Sequence, residues 1–293
     1  MAKTSLRHAV CLWGDHCGLG RLTFVQSFSL KLMTSTATVD LFRYQLLGRF
    51  DLPEPTRTAA PQGNLLAQEA SAVTYDWDRD SLFVLGDGGT AIVQISKTTG
   101  ALIDTMTLAP GSSPQGTDFY DPEGLTYIGA GLFVLVEERD RQAVQFTYNA
   151  GTVLTRSNTK TVKLGVTIGN IGLEGVSWDP YSAGYVFVKE ISPEGIFQTS
   201  INFDAGTASN GSSTTVNSVN LFEPSLAGLL DFADVFSLSN LPYLAPGSEY
   251  QNLLILSQEE SKLVNISRTG IISSSLQLQS APGIARSHTA AVP

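Results

Sequence analysis

Carboxylates carry the chemistry open to this chain, and they recur at regular steps. Glu123 and Glu174 each stand before a glycine at the head of a short apolar run, and they are 51 residues apart. A second set closes the apolar run that follows. Asp87 ends Leu82-Phe-Val-Leu-Gly-Asp87, Glu137 and Glu138 end Leu132-Phe-Val-Leu-Val-Glu-Glu138, and Glu190 ends Tyr185-Val-Phe-Val-Lys-Glu190. Carboxylates gathered from several repeats suit a hard cation with roughly six to eight oxygen ligands, Ca²⁺ above all. The candidate metal ligands are therefore Glu123, Glu137, Glu138, Glu174, Glu190 and Asp87. The same side chains can instead finish turns, by accepting from backbone N–H groups or pairing with a nearby arginine, and the sequence leaves both roles open.

Other reactive constellations are thin. Histidine is absent between His16 and His288, which removes a Ser-His-Asp triad and a histidine-based zinc site from the intervening chain. Cys11 and Cys17, with His8 and His16, lack a paired zinc spacing and lie ahead of the repeats, so no disulfide framework holds the fold. Asp87-Gly88-Gly89 is too short for a phosphate loop and reads as a tight turn. A net charge of −9 with no Lys/Arg cluster argues against a nucleic-acid partner.

The elements that must position the acids are short and β-like. Beside the copies headed by Glu123 and Glu174, a third runs through Ser71-Ala-Val-Thr-Tyr-Asp76. A fourth runs through Ala233-Asp-Val-Phe-Ser-Leu238 and Leu253-Leu-Ile-Leu-Ser-Gln-Glu259. A period of about 50 residues built from such runs marks a blade-type repeat, because one unit cannot bury both faces of its sheet alone. The expected fold is an all-β propeller of four-stranded blades, five or six in number, with the last blade incomplete. Across 293 residues, 42% hydrophobic and 15% charged content with 27 glycines and 13 prolines fits a turn-rich globular chain. No apolar run reaches the roughly 20 residues of a spanning helix, and a monomer is expected.

Along the chain, residues 1–32 form an unpatterned extension without a secretory signal, 33–278 the propeller, and 279–293 an unpatterned tail in place of the expected final repeat. Val39 to Leu52 reads as one strand that completes the last blade. Blade strands are expected at 70–75, 82–85, 91–96 and 102–108; at 125–127, 132–136, 143–148 and 162–164; at 176–178, 185–188, 195–201 and 216–221; and at 235–238, 253–257, 262–267 and 271–278. The second and third copies keep the most acids, which directs any metal site toward them.

Several segments together carry a family likeness. Glu123-Gly-Leu-Thr-Tyr with Val136-Glu-Glu-Arg-Asp-Arg141, Gly169-Asn-Ile-Gly-Leu-Glu-Gly-Val176 with Val188-Lys-Glu190, Pro193-Glu-Gly195 and Leu256-Ser-Gln-Glu-Glu260 resemble the SdiA-regulated, YjiK-like β-propeller family over roughly residues 39–278. That family is related to phytase-like and esterase-like propellers. The resemblance implies a bacterial exported or envelope-associated Ca²⁺-binding propeller with no firmly assigned reaction; the gathered acids and the lack of a nucleophile point to a binding or signalling module, open to a small-molecule or phosphorylated ligand. The resemblance also implies an alternative, a calcium-dependent phytase-like phosphoester hydrolase, in which the bound metal polarises phosphate for attack by water. Lys160, Lys163, Lys189 and Arg139 are the basic residues available to such a ligand.

Overall fold

The computed structural model describes residues 37–45, 52, 66–190 and 193–278; the expected extension over 1–32 and the tail over 279–293 lie outside them. Each of the first three repeats opens as two apolar runs joined by a short turn with a left-handed corner, whereas 3-10 turns over 238–251 join the first two runs of the fourth. Asp80, Ala130 and Ala183 sit at φ of 52°, 52° and 50° between the first two strands of successive repeats. A corner of that hand lets a short loop follow the twist of the strands it joins.

Blade 1 orders β1 (Ala70–Asp76), β2 (Ser81–Gly86), β3 (Ala91–Ile95) and β4 (Leu102–Leu108) antiparallel. Blade 2 begins with β5 (Pro122–Gly129), β6 (Leu132–Glu137) and β7 (Gln142–Thr147). Next, β8 (Val153–Leu154) crosses back to pair parallel with β4, and β9 (Lys160–Lys163) completes blade 2. Blade 3 holds β10 (Gly175–Asp179), β11 (Gly184–Lys189) and β12 (Gly195–Thr199), followed by a hairpin of β13 (Ile201–Asn202) and β14 (Thr207–Ala208). Blade 4 is β15 (Asp234–Ser237), β16 (Leu253–Ser257), β17 (Lys262–Ile266) and β18 (Ile272–Gln277). Among the described residues there is no α-helix, only short 3-10 turns.

The described residues thus form four blades, where five or six were expected, and every strand among them belongs to those blades or to the small hairpin. The fourth copy is complete. The short blade is the third, where the strand expected over 216–221 does not form. There Leu221 N donates to Ile196 O at 2.7 Å, but Ile196 N turns to the Asn220 side chain at 3.1 Å. Asn210 further ties up Val219, accepting from its N–H and donating to its carbonyl. Side-chain amides have taken the backbone partners that a ladder needs.

Period-two alternation sends each second strand into two cores at once. Phe133 and Leu135 join Phe83, Leu85 and Phe146 between blades 1 and 2, while Val134 and Val136 join Phe187 and Phe197 between blades 2 and 3. Val186 and Val188 then meet Ile255 and Val264 between blades 3 and 4. The inner strands follow one another in an arc, β1 against β5, β5 against β10, and β10 against β15.

Hydroxyls fasten this arc. Tyr127 N donates to Thr74 Oγ1 at 3.1 Å, Trp178 N to Thr126 Oγ1 at 2.8 Å, and Ser237 N to Ser177 Oγ at 2.9 Å. Pairing register puts Thr74, Thr126 and Ser177 at one equivalent position of β1, β5 and β10, and Phe236 stands there in β15.

The segment expected as one strand over Val39 to Leu52 docks on blade 4 in another form. Asp40 caps a 3-10 turn over Leu41–Arg43, Leu41 N donates to Ser274 Oγ, and Val39 O accepts from Asn265 Nδ2. Val39 and Leu41 cover the blade 4 face of Leu254, Leu263 and Leu276. Anchoring by side chains replaces the expected ladder; residues 46–51 of the segment lie outside the described ones.

Candidate metal centre

The acids meet where first strands begin and second strands end. Pairing of Pro122 with Glu137 and of Gly175 with Val188 sets these ends side by side. The residues after each second strand, Asp87, Glu138, Glu190 and Gln258, occupy equivalent corners of the four blades.

Asp87, Asp121 and Glu123 each bring a carboxylate oxygen within 4.8 Å of the others'. Asp121 and Glu123 are buried and Asp87 is half-buried. Asp121 turns into β5 with φ of 56°, a left-handed setting that aspartate tolerates better than most residues. Asp87 is placed by the Gly86–Gly89 turn, its N–H on Ser71 Oγ and its Oδ1 accepting from Gly88 N at 2.6 Å. Arg139 pairs with Asp121, bonds Asn170 Oδ1 at 2.7 Å and covers the Tyr120 ring.

Glu138 borders the group. It is 1% exposed, accepts from Gly172 N at 3.2 Å, and sits close to Asp121 and Glu123. Burial, then the charges of Glu123 and Asp121, pushes its carboxyl up to about 8. Near neutrality it therefore holds a proton, which a divalent cation in the cluster would displace.

Glu137 does not join the group, although it is adjacent in sequence to Glu138. Successive strand residues face opposite sides. Glu137 is fully buried, paired with Arg156, and accepts from Gln142 Nε2 and Tyr120 N, each at 2.6 Å. Its carboxylate is already satisfied, so Glu137 is corrected from a ligand to a structural ion pair. Glu174 is buried at the head of β10, its N–H on Val188 O, and Glu190 is half-buried after β11; neither belongs to the three-carboxylate group. The convergence lies between blades 1 and 2, one junction earlier than the acid-rich copies suggest. Sequence reasoning did not name Asp121 among the candidate ligands, although Asp121-Pro-Glu123 shows two acids bracketing a strand start.

The basic residues scatter. Lys160 pairs with Asp204 at the surface, Lys163 bonds Asp140 and Thr167, and Lys189 is buried against Asn217.

A family model described as SdiA-regulated matches residues 57–289. The chain belongs to the SdiA-regulated family. The match starts beyond the Val39–Arg43 segment of this SdiA-regulated propeller and runs on past Leu278, into residues where the repeat pattern is no longer visible. Among solved structures, a chain of the nidogen/laminin complex is similar at a TM-score of 0.41 and 10% identity, covering 73% of this chain and 82% of that one. Virginiamycin B lyase from Staphylococcus aureus is similar at 0.35 and 11%, covering 72% and 56%. The β-propeller domain of Myceliophteria thermophila Cps50 (Swd1) is similar at 0.38 and 11%, covering 74% and 58%. The SdiA-regulated chain thus spans little more than half the length of these last two.

Proposed function

We propose that this SdiA-regulated propeller binds one Ca²⁺ ion at the junction of blades 1 and 2 and acts as a binding or signalling module of the cell envelope. The observation that carries the proposal is the convergence of Asp87, Asp121 and Glu123 oxygens within 4.8 Å. Oxygens on opposite sides of a calcium ion stand roughly 4.6–5.2 Å apart, so one ion can span such a group. All three donors are hard oxygens, the type that prefers Ca²⁺ over softer metals. The raised Glu138 adds support: burial first, and then the charges of Glu123 and Asp121, hold its proton beside the three carboxylates. Bound there, the ion would tie the Gly86–Gly89 turn of blade 1 to the head of β5. Placement in the envelope rests on the family resemblance; among the described residues no helix is long and apolar enough to cross a membrane.

Titration calorimetry with Ca²⁺ tests the site. Wild type is expected to bind one ion, and Asp87→Asn or Glu123→Gln to weaken binding by about tenfold or more, whereas Glu137→Gln keeps it within about twofold. Absence of binding, or equal affinity in all four proteins, would refute the proposal.

A further inference from the structure

One blade farther on, charge of the opposite sign is buried. Arg141 is 2% exposed and heads the fully buried side chains by size. Its Nη1 donates to Val216 O, while its Nε is buried without a hydrogen-bond partner. Gly165 lies flat against the guanidinium, and a Cβ at that position would stand 3.0 Å from Nε. Lys189, at the end of β11, is 4% exposed, and its Nζ donates to Asn217 Oδ1 at 3.3 Å.

Val216 and Asn217 are neighbours, so both cations meet one short piece of loop. The next residue, Ser218, also has a buried Oγ without a partner. Among the described residues no carboxylate forms an ion pair with Arg141 or Lys189. Arginine keeps its proton, and a buried charge without a bonded counter-charge is costly, so among the described residues positive charge predominates at this pair. Desolvation holds the pKa of Arg141 down. It does the same for Lys189, where the Arg141 charge adds to it and half-buried Glu194 opposes it. The loop above is held by Val166 N on Thr215 O and Thr215 N on Ser212 O, and Val216 itself is 57% exposed. The cations therefore lie just beneath a surface loop.

We propose that Arg141, Lys189, Asn217 and Ser218 form an anion site between blades 2 and 3 that takes the phosphate group of a small ligand. Guanidinium and ammonium donors supply the charge-assisted hydrogen bonds that phosphate oxygens accept, and the Ser218 hydroxyl adds a neutral donor. A purely structural Arg141, braced on the Val216 carbonyl, predicts no response to anions.

The full chain is titrated with inorganic phosphate in EDTA, with chloride matching the ionic strength, and binding is read by calorimetry and thermal melting. EDTA keeps the outcome independent of the calcium proposal. Saturating phosphate is expected to raise Tm by about 2–4 °C over matched chloride. Lys189→Met and Asn217→Ala should each weaken phosphate binding at least about tenfold, and Lys189→Arg should keep most of it. If Lys189→Met fails to fold, Asn217→Ala decides, because Asn217 is exposed on the loop. A parallel titration with glycerol 3-phosphate separates the sources. Tighter binding than inorganic phosphate assigns a phosphoester, and equal binding assigns free phosphate. No shift beyond chloride, or an unchanged shift in Asn217→Ala together with a folded Lys189→Met, would overturn the site.

Discussion

Glu137 and Glu138 are identical in type and adjacent, yet the fold gives them opposite work. Glu137 turns to Arg156, with the guanidinium over the Phe119 ring at 4.4 Å, whereas Glu138 is pressed against Glu123 and Asp121. Strand alternation makes the split legible in the sequence. Which member faces the acids is not, because Arg156 arrives 19 residues later from the turn after β8. Asp121 was hidden for a similar reason: its left-handed φ depends on how β5 enters blade 2. The electrostatics predict a pH dependence with a definite sign. Glu138 keeps its proton in the fold up to about 8, while the unfolded chain releases it near the ordinary value of 4.5. Between these values the folded state binds more protons, so metal-free stability should fall as pH rises from about 5 to about 8 and level off above. Melting curves over that range should show the fall in EDTA, a shallower one with Ca²⁺, and little of it in Glu138→Gln. A slope unchanged in Glu138→Gln would remove Glu138 as its source.

Strands were the most legible elements, since each apolar run bounded by Asp/Gly turns became a strand within a few residues of its expected span. The failure over 216–221 came from Asn210 and Asn220, whose side chains compete with the ladder in a way no periodicity reveals. The hydroxyl contacts between inner strands were in plain view at Thr74, Thr126 and Ser177, but only register shows that they share one position. Each bond joins the first strand of a blade to the first strand of the next. Thr126→Val keeps the shape of the side chain and strands the Trp178 N–H, so it should destabilise the protein by about 1–2 kcal/mol. Urea denaturation would read this as a lower midpoint at unchanged slope. A loss near zero would mean that the contact contributes nothing net.

At the scale of the whole molecule, the roughly 50-residue period disclosed the repeat but carried no information about what borders the arc of described blades. Two features mark its blade 4 end. Val39 and Leu41 cover the outer face of blade 4, and Phe236, 37% exposed, stands where the earlier blades carry a hydroxyl for the next strand. On blade 1 the outward residues Leu82, Val84 and Val93 are buried in a separate cluster with Ala67 and Ile95. The acids concentrate at the blade 1–blade 2 junction, so a cation there would add to the shared apolar core, the hydroxyl bond of Thr74, the Tyr127–Asp78 hydrogen bond and the β8–β4 pairing that already join the two blades. A crystal grown with Ca²⁺ tests that claim most directly, through anomalous difference density at the mouth of the arc. One peak is predicted, about 2.3–2.6 Å from oxygens of Asp87, Asp121 and Glu123, with Glu137 still on Arg156. No peak at that junction, or density only at another acid of the arc, would contradict the account.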